Sequence, residues 1–237
     1  PTGSLRRPLG GAINKLPGFD DGDWWVQDAA AALPARLFGH DLTGKRIADL
    51  CAAPGGKTAQ LAAMGAEVTA LDRSGERLIR LGENLRRLNL SRQVETITAN
   101  AKHWEPEQPF DGVLLDAPCS ATGTIRRHPD VAWLKNPDQV DALAEQQAEL
   151  LGHAIDMVRE GGTLVYCTCS LQPAEGEAQI ERLLSLGAPI KTVPITAEEL
   201  GVSPAMITPE GWLRILPHHW VEHGGIDGFF AARLIRT

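Results

Sequence analysis

No apolar run in the sequence approaches the roughly 18 residues that a membrane-crossing helix needs, which excludes such a helix. Cysteine is scarce: Cys51, Cys119, Cys167 and Cys169 are the four in 237 residues. That is too sparse for a disulfide scaffold in a domain of this size. It also suits zinc poorly, because Cys167 and Cys169 are one residue apart and no matching second pair follows. We read the four as reduced thiols of a cytoplasmic protein with no metal. Positive charge is in deficit too, with 23 Lys and Arg against 30 acidic residues and a net charge of −7. Such a chain is no general phosphate binder, so contact with nucleic acid falls to local basic patches or to a partner domain. The opening Pro1-Thr2-Gly3-Ser4 has neither an initiator Met nor a signal-peptide pattern, as expected of a trimmed chain or a fragment of a longer protein.

What is there is an alternation of short apolar runs and helical periods. Hydrophobic residues at 43% and charged residues at 22% are values of a folded globular chain, not a disordered one. Residues 1–40 form a lead-in rich in Gly, Pro and Arg, then an Ala-rich stretch, 28–38, that predicts a helix with Asp28 as N-cap. Residues 41–237 predict the main domain. Strands are expected at 45–50, 67–71, 94–99, 112–115 and 163–168. Helices are expected at 57–64, 75–88, 138–159 and 174–186, the third stopped by Gly161-Gly162. Segments 212–216 and 229–234 predict a closing antiparallel pair. The order implies an α/β fold with a mostly parallel sheet covered by helices on both faces.

In such sheets ligands bind at the carboxyl ends of the strands, and the unusual residues gather there. Cys51, Ala52, Ala53, Pro54, Gly55, Gly56 and Lys57 follow the first strand. Asp72 ends the second, Asn100 follows the third, Asp116 to Ser120 the fourth, and Cys169-Ser170 the fifth. Gly56-Lys57-Thr58 suggests a phosphate-binding loop, but that motif needs a glycine where Cys51 stands. Without it, Asp116 loses the partner it would need in a magnesium-dependent NTPase. A nucleotide-cofactor turn fits better, since small residues let a ligand approach the backbone and Asp72 is placed to hold a ribose. That reading suits a nicotinamide dinucleotide as well as S-adenosylmethionine, although the dinucleotide glycine fingerprint is absent. Asp116 and Cys119, with Cys169 on the next strand, suggest nucleophilic catalysis by a thiolate, and these residues alone do not say which cysteine attacks. Arg126-Arg127-His128 follow on a loop beside this edge, a local basic patch in an acidic chain.

Taken together, four segments resemble the RNA cytosine-5 methyltransferases that use S-adenosylmethionine. They are Asp49-Leu-Cys-Ala-Ala-Pro-Gly-Gly-Lys-Thr58, Leu115-Asp-Ala-Pro-Cys119-Ser, Tyr166-Cys-Thr-Cys169-Ser-Leu and Asp227-Gly-Phe-Phe230, in the family's order. The stretch Asp116 to Asp130, with Leu16-Pro-Gly-Phe19 and Val26-Gln-Asp28, is most similar to the branch acting on bacterial small-subunit ribosomal RNA. The resemblance implies a Rossmann-like class I methyltransferase fold. It implies that Cys51 to Lys57 cradle the methionine part of the cofactor, that Asp72 holds the ribose and that Asn100, usually Asp in the family, meets the adenine. Arg77 and Asp116 complete that set. It further implies Cys169 as nucleophile, Asp116 at ring nitrogen 3, Cys119 assisting product release, and Lys57 either organising Asp116 or lowering a thiol pKa. Arg126, Arg127 and His128 would meet RNA phosphates. Ribosomal RNA is the implied partner, with transfer RNA as the alternative substrate and a catalytically silent RNA-binding or ribosome-assembly protein as the alternative role. Relatives carry an N-terminal RNA-binding domain, here separate or missing. Gly176 stands where the family commonly has Asn, between Glu175 and Glu177.

Overall fold

The computed structural model of the chain describes residues 2–7 and 11–237. Five strands run parallel: β1 (Arg46–Leu50), β2 (Glu67–Asp72), β3 (Val94–Thr98), β4 (Phe110–Asp116) and β5 (Val158–Thr168). Three more follow, β6 (Ile190–Thr192), β7 (Leu213–Ile215) and β8 (Phe229–Arg236). The order across the sheet is β3-β2-β1-β4-β5-β8-β6, with β7 also on β8. β8 runs antiparallel to β5, β6 and β7. This is the Rossmann-like α/β arrangement with an antiparallel C-terminal strand that the sequence predicts.

The helices are α1 (Leu33–Arg36), α2 (Gly56–Ala63), α3 (Gly75–Arg87), α4 (Val131–Leu134), α5 (Pro137–Met157), α6 (Glu177–Ser185) and α7 (Ala197–Leu200). They cover both sheet faces, and the period of two along β4 shows how. Val113 and Leu115 turn to one face and pack with Leu150, Leu151, Ala154 and Ile155 of α5. Leu114 turns to the other and packs with Leu33 of α1 and Leu61 of α2. In α3 the spacing of Leu78, Leu81 and Leu85 buries one stripe against Ala52 and Ala59. Among the described residues, no helix is long and apolar enough to cross a membrane.

Several predicted boundaries move. The helix expected at 28–38 is only the four-residue α1. Pro34 has no N–H to give Ala30, which stops a helix from running through it. Asp28 caps a turn instead, accepting from the Ala30 N–H at 2.9 Å. Helix α5 ends at Met157, and β5 begins at Val158 and takes in Gly161-Gly162, with a register shift against β4 between Phe110 and Gly112. Its start is set by a capping box, in which Asn136 and Gln139 satisfy each other's backbone N–H. The predicted helix 174–186 is split into a 3-10 turn, Pro173–Glu175, and α6, broken at Gly176.

Candidate active site

The turn after β1 lies open at the sheet edge. Cys51 takes a φ of 62°, and Gly55, the N-cap of α2, a φ of 101°. A Cβ on Gly55 would lie 2.7 Å from Leu81 Cγ, so glycine is required there both by conformation and by space. The turn is clamped from β2. Asp72 Oδ2 accepts from the Ala53 N–H at 3.1 Å and Oδ1 from the Ser74 N–H at 2.9 Å. Arg77 Nη1 lies 3.5 Å from Asp72 Oδ2, and its Nη2 donates to the Ala53 carbonyl. Asp72 and Arg77 therefore shape the turn. Both also line a cleft of about 190 Å³, with Cys51, Asn100, Pro118 and Leu150 among the other walls. Asn100 Oδ1 accepts from the Lys102 N–H at 3.1 Å, which leaves its amide nitrogen as the free donor.

Beneath the turn, Asp49 is buried and accepts from the Thr58 hydroxyl at 2.6 Å, while its Oδ1 has no partner. Burial pushes its carboxyl up to about 7, against the pull of the Thr58 hydrogen bond. Burial, with the charges of Asp116 and Asp72, pushes the Cys51 thiol up to about 12. Cys51 is thus a neutral wall, not a nucleophile.

Asp116 ends β4 between two donors. Lys57 Nζ donates to its Oδ2 at 2.7 Å, and the Cys167 thiol to its Oδ1 at 3.6 Å. Burial pulls the Lys57 pKa down, but the adjacent carboxylate outweighs it and the net direction is up. Its ammonium also sits 5.1 Å from the Phe229 ring centroid. Lys57 is thus paired directly with Asp116.

The Cys119 and Cys169 sulfurs are 3.5 Å apart. The hydrogen bond from Cys119 lowers the Cys169 pKa, and Lys57 adds to it against burial and the charge of Asp116. The same bond, with burial, raises Cys119. The contact thus favours the thiolate form at Cys169 over that at Cys119. Gly123 ties the two loops together: its N–H donates to the Cys169 carbonyl at 2.9 Å, and its carbonyl accepts from the Gly228 N–H at 2.8 Å. A Cβ on Gly123 would lie 2.0 Å from the Gly228 oxygen, so no larger residue fits. This contact accounts for Asp227-Gly228 sitting in a motif far along the chain from either thiol.

One residue escaped the sequence reading. Glu175 is fully buried beneath both thiol loops. It accepts from the Ser120 N–H at 2.8 Å, the Ser120 hydroxyl at 2.5 Å, the Ser170 hydroxyl at 2.5 Å and Gln147 Nε2 at 3.0 Å. Its carbonyl accepts from the Tyr166 and Thr168 hydroxyls at 2.8 and 3.1 Å. The signal was a serine after each cysteine, Ser120 and Ser170, with no partner assigned to either. A Cβ on Gly176 would lie 2.4 Å from Arg214 Nη2, the movable end of a long side chain, and 3.0 Å from the Phe230 ring.

The family model described as 16S rRNA methyltransferase RsmB/F matches residues 40–235. The chain belongs to the RsmB/F family. Ribosomal RNA small subunit methyltransferase B of Vibrio vulnificus is 41% identical over 230 residues, covering 94% of this chain and 50% of that protein. The protein of the same name from Vibrio cholerae is 48% identical over 178 residues, 73% of this chain and 40% of its own. Among solved structures, NSun6 from Pyrococcus horikoshii with SFG superposes with a TM-score of 0.79 at 28% identity, over 95% of this chain and 56% of that one. This RsmB/F chain spans about half the length of the curated relatives it matches.

In this RsmB/F chain the basic loop is not a free patch. Arg126 Nη2 pairs with Asp28 and Asp227, both at 3.0 Å, and Arg127 reaches Asp227 at 2.7 Å. The side chain of Asp227 is only 4% exposed, and both guanidiniums lie against it. The reading of these arginines as serving phosphates in place of the fold is corrected to this extent: they hold the Asp227-Gly228 turn and the Asp28 turn against the thiol loop. His128 is exposed, with Nε2 at 3.1 Å from Arg127 Nη1. Replacing both arginines with Ala should lower stability by about 2–4 kcal/mol, since it strands a buried carboxylate beside a second one. Denaturant unfolding checks this, and an unmoved midpoint would return the arginines to a purely external role.

Proposed function

We propose that the chain is the catalytic part of an enzyme that methylates carbon 5 of a cytosine in RNA, with S-adenosylmethionine as methyl donor and small-subunit (16S) ribosomal RNA as substrate. The observation that carries this is the pair of thiols 3.5 Å apart, on the same sheet edge as the Lys57–Asp116 pair.

The cleft suits the cofactor. Leu71 and Leu150 offer apolar walls for a purine, and Asp72 and Asn100 face it with polar groups. Cys51 to Lys57 would hold the methionine end, Asp72 and Arg77 the ribose side, and Asn100 the adenine. When bound, S-adenosylmethionine supplies an electrophilic methyl group. The side chains here do the rest. Carbon 5 of cytosine is a poor nucleophile, and addition of the Cys169 thiolate at carbon 6 makes it enamine-like. Negative charge then develops at ring nitrogen 3, and it is met by a proton that the Lys57 ammonium supplies and Asp116, 2.7 Å from it, relays. Cys119 gives its thiol proton to the departing Cys169 sulfur, and the Cys119 thiolate so formed takes the proton lost from carbon 5. A cytosine stacked in a helix cannot reach these groups, so the target is single-stranded or flipped out.

Incubation of the chain with methyl-tritiated S-adenosylmethionine and an unmodified 16S rRNA transcript should label the RNA. Base-resolution mapping should place the mark on carbon 5 of a cytosine. Label on a ring nitrogen or a ribose would overturn the reading, and preferential labelling of transfer RNA would replace the substrate.

A further inference from the structure

Resting on that RNA reading, we propose that Trp133, with Leu134 beside it, is a stacking platform for an unpaired RNA base next to the target cytosine. Trp133 is 89% exposed and Leu134 62% exposed. Tryptophan is ordinarily among the more buried side chains on average, and two adjacent large apolar residues in water call for a partner. The fold makes no use of them: neither belongs to any of the three core clusters. Other large exposed apolar residues, such as Ile79 and Leu186, lie on helices away from the thiol loops.

The position of α4 is what gives the pair meaning. It is carried by the segment that leaves Cys119, and that segment is built of linked turns. The Leu171 N–H donates to the Thr122 hydroxyl at 2.9 Å, and the Gly123 N–H to the Cys169 carbonyl at 2.9 Å. The Arg127 and His128 N–H groups then donate to the Thr124 carbonyl at 2.8 and 2.9 Å, and the Val131 N–H to the His128 carbonyl at 3.1 Å. Each turn fixes the next, from the nucleophile's loop out to the indole.

The chemistry of the surroundings selects the occupant. From Ile125 to Lys135 the chain carries Arg126, Arg127, His128 and Lys135 against one carboxylate, Asp130; Arg126 and Arg127 are paired inward with Asp28 and Asp227, so Lys135, His128 and the outer edge of Arg127, whose side chain is 43% exposed, face outward. Exposed aromatic surface set among cations is the pattern that holds single-stranded nucleic acid: the base stacks on the ring and the backbone phosphates meet the charges. Because every base has a π face, the platform is tolerant of sequence. Its task is to keep the strand unstacked beside the flipped cytosine.

The test is fluorescence anisotropy of the full chain with a labelled single-stranded 16S rRNA oligonucleotide containing the target cytosine, run over a salt series. Trp133→Ala should weaken binding by roughly 5- to 100-fold, the range of one lost base–aromatic stack. Trp133→Phe should restore most of it. The salt slope should stay that of the parent, since stacking releases no counterions, and the unfolding midpoint should not move. Parent-like affinity in Trp133→Ala, with the parent binding and methylating RNA, refutes the platform and leaves the RNA reading intact. A flattened salt slope refutes stacking in favour of phosphate contact. A parent chain that neither binds nor methylates RNA removes the reading and the platform together.

Discussion

Cys169→Ala is expected to abolish both methylation and covalent capture of RNA, whereas Cys119→Ala is expected to accumulate a covalent protein–RNA species. The two sulfurs sit close enough to share a hydrogen bond at 3.5 Å, yet their surroundings are unequal. Cys169 is drawn below the ordinary thiol pKa by the Cys119 thiol and helped by Lys57. Removing Cys169 takes away the hydrogen bond that raises the Cys119 pKa most, but burial and the charge of Glu175 still raise it. Cys119 then remains a largely neutral thiol and a poor nucleophile. Removing Cys119 leaves Cys169 able to attack but takes away the proton needed when its sulfur leaves carbon 6, so the adduct persists.

The same substitution carries a pH signature. The hydrogen bond that lowers Cys169 is lost, so its folded pKa rises. The thiolate fraction at a given pH falls, and the pH profile of adduct formation should move to higher pH. A denaturing gel with labelled RNA, run across pH, reads both effects. The reversed pattern, with adduct in Cys169→Ala and none in Cys119→Ala, would make Cys119 the nucleophile. Methylation intact in both would end thiol catalysis as an explanation.

Glu175→Ala is expected to be the most destabilising single change at the site, costing about 3–5 kcal/mol. It strands the Ser120 N–H, two hydroxyls and a Gln147 N–H in a buried space. Each donor left without an acceptor costs about 1–3 kcal/mol, reduced where a hydroxyl can rotate to another partner. The hydroxyls of Ser120 and Ser170, 3.2 Å apart, have that option, whereas the backbone N–H does not. Glu175→Gln keeps one acceptor oxygen and the shape, and should recover about half the loss. Guanidinium unfolding measures the stability, and the adduct assay shows whether the two thiol loops have come apart. A midpoint shift under about 1 kcal/mol in Glu175→Ala, the size of an ordinary surface change or less, would mean the carboxylate is not the hub it resembles.

The succession of strands along the chain and the chemistry-bearing edge were legible because most parallel strands hold a short apolar run closed by a distinctive residue, as Leu114-Leu115 are closed by Asp116, the polar β3 being the exception. The helix that failed, at 28–38, failed on Pro34, where Ala-rich composition outweighed one missing N–H. The short β6 has only three residues and no alternation to read. Within the site, the motif residues were readable as types, but the division of labour was not. Nothing along the chain says that Arg126 meets Asp28 and Asp227, about a hundred residues away in each direction, or that Glu175 reaches back under Ser120. Those pairings follow from the crossing of β4, β5 and β8, which no local pattern encodes. The basic loop misled for that reason: its charge was visible and its partners were not.

The placement of β8 also bears on how the protein is made. Residues of β1 to β5 leave the ribosome well before Phe229, and until β8 arrives β5 has no neighbour on its far side. Its apolar run Leu164-Val165-Tyr166-Cys167 is then an open edge able to pair with any passing strand. Gly228 has not yet closed on Gly123, so the loop bearing Cys169 lacks one of its supports through this interval. Synthesis therefore passes through a stage when the nascent chain is most prone to mispair and its two thiols are least firmly held, and the same final strand ends both conditions.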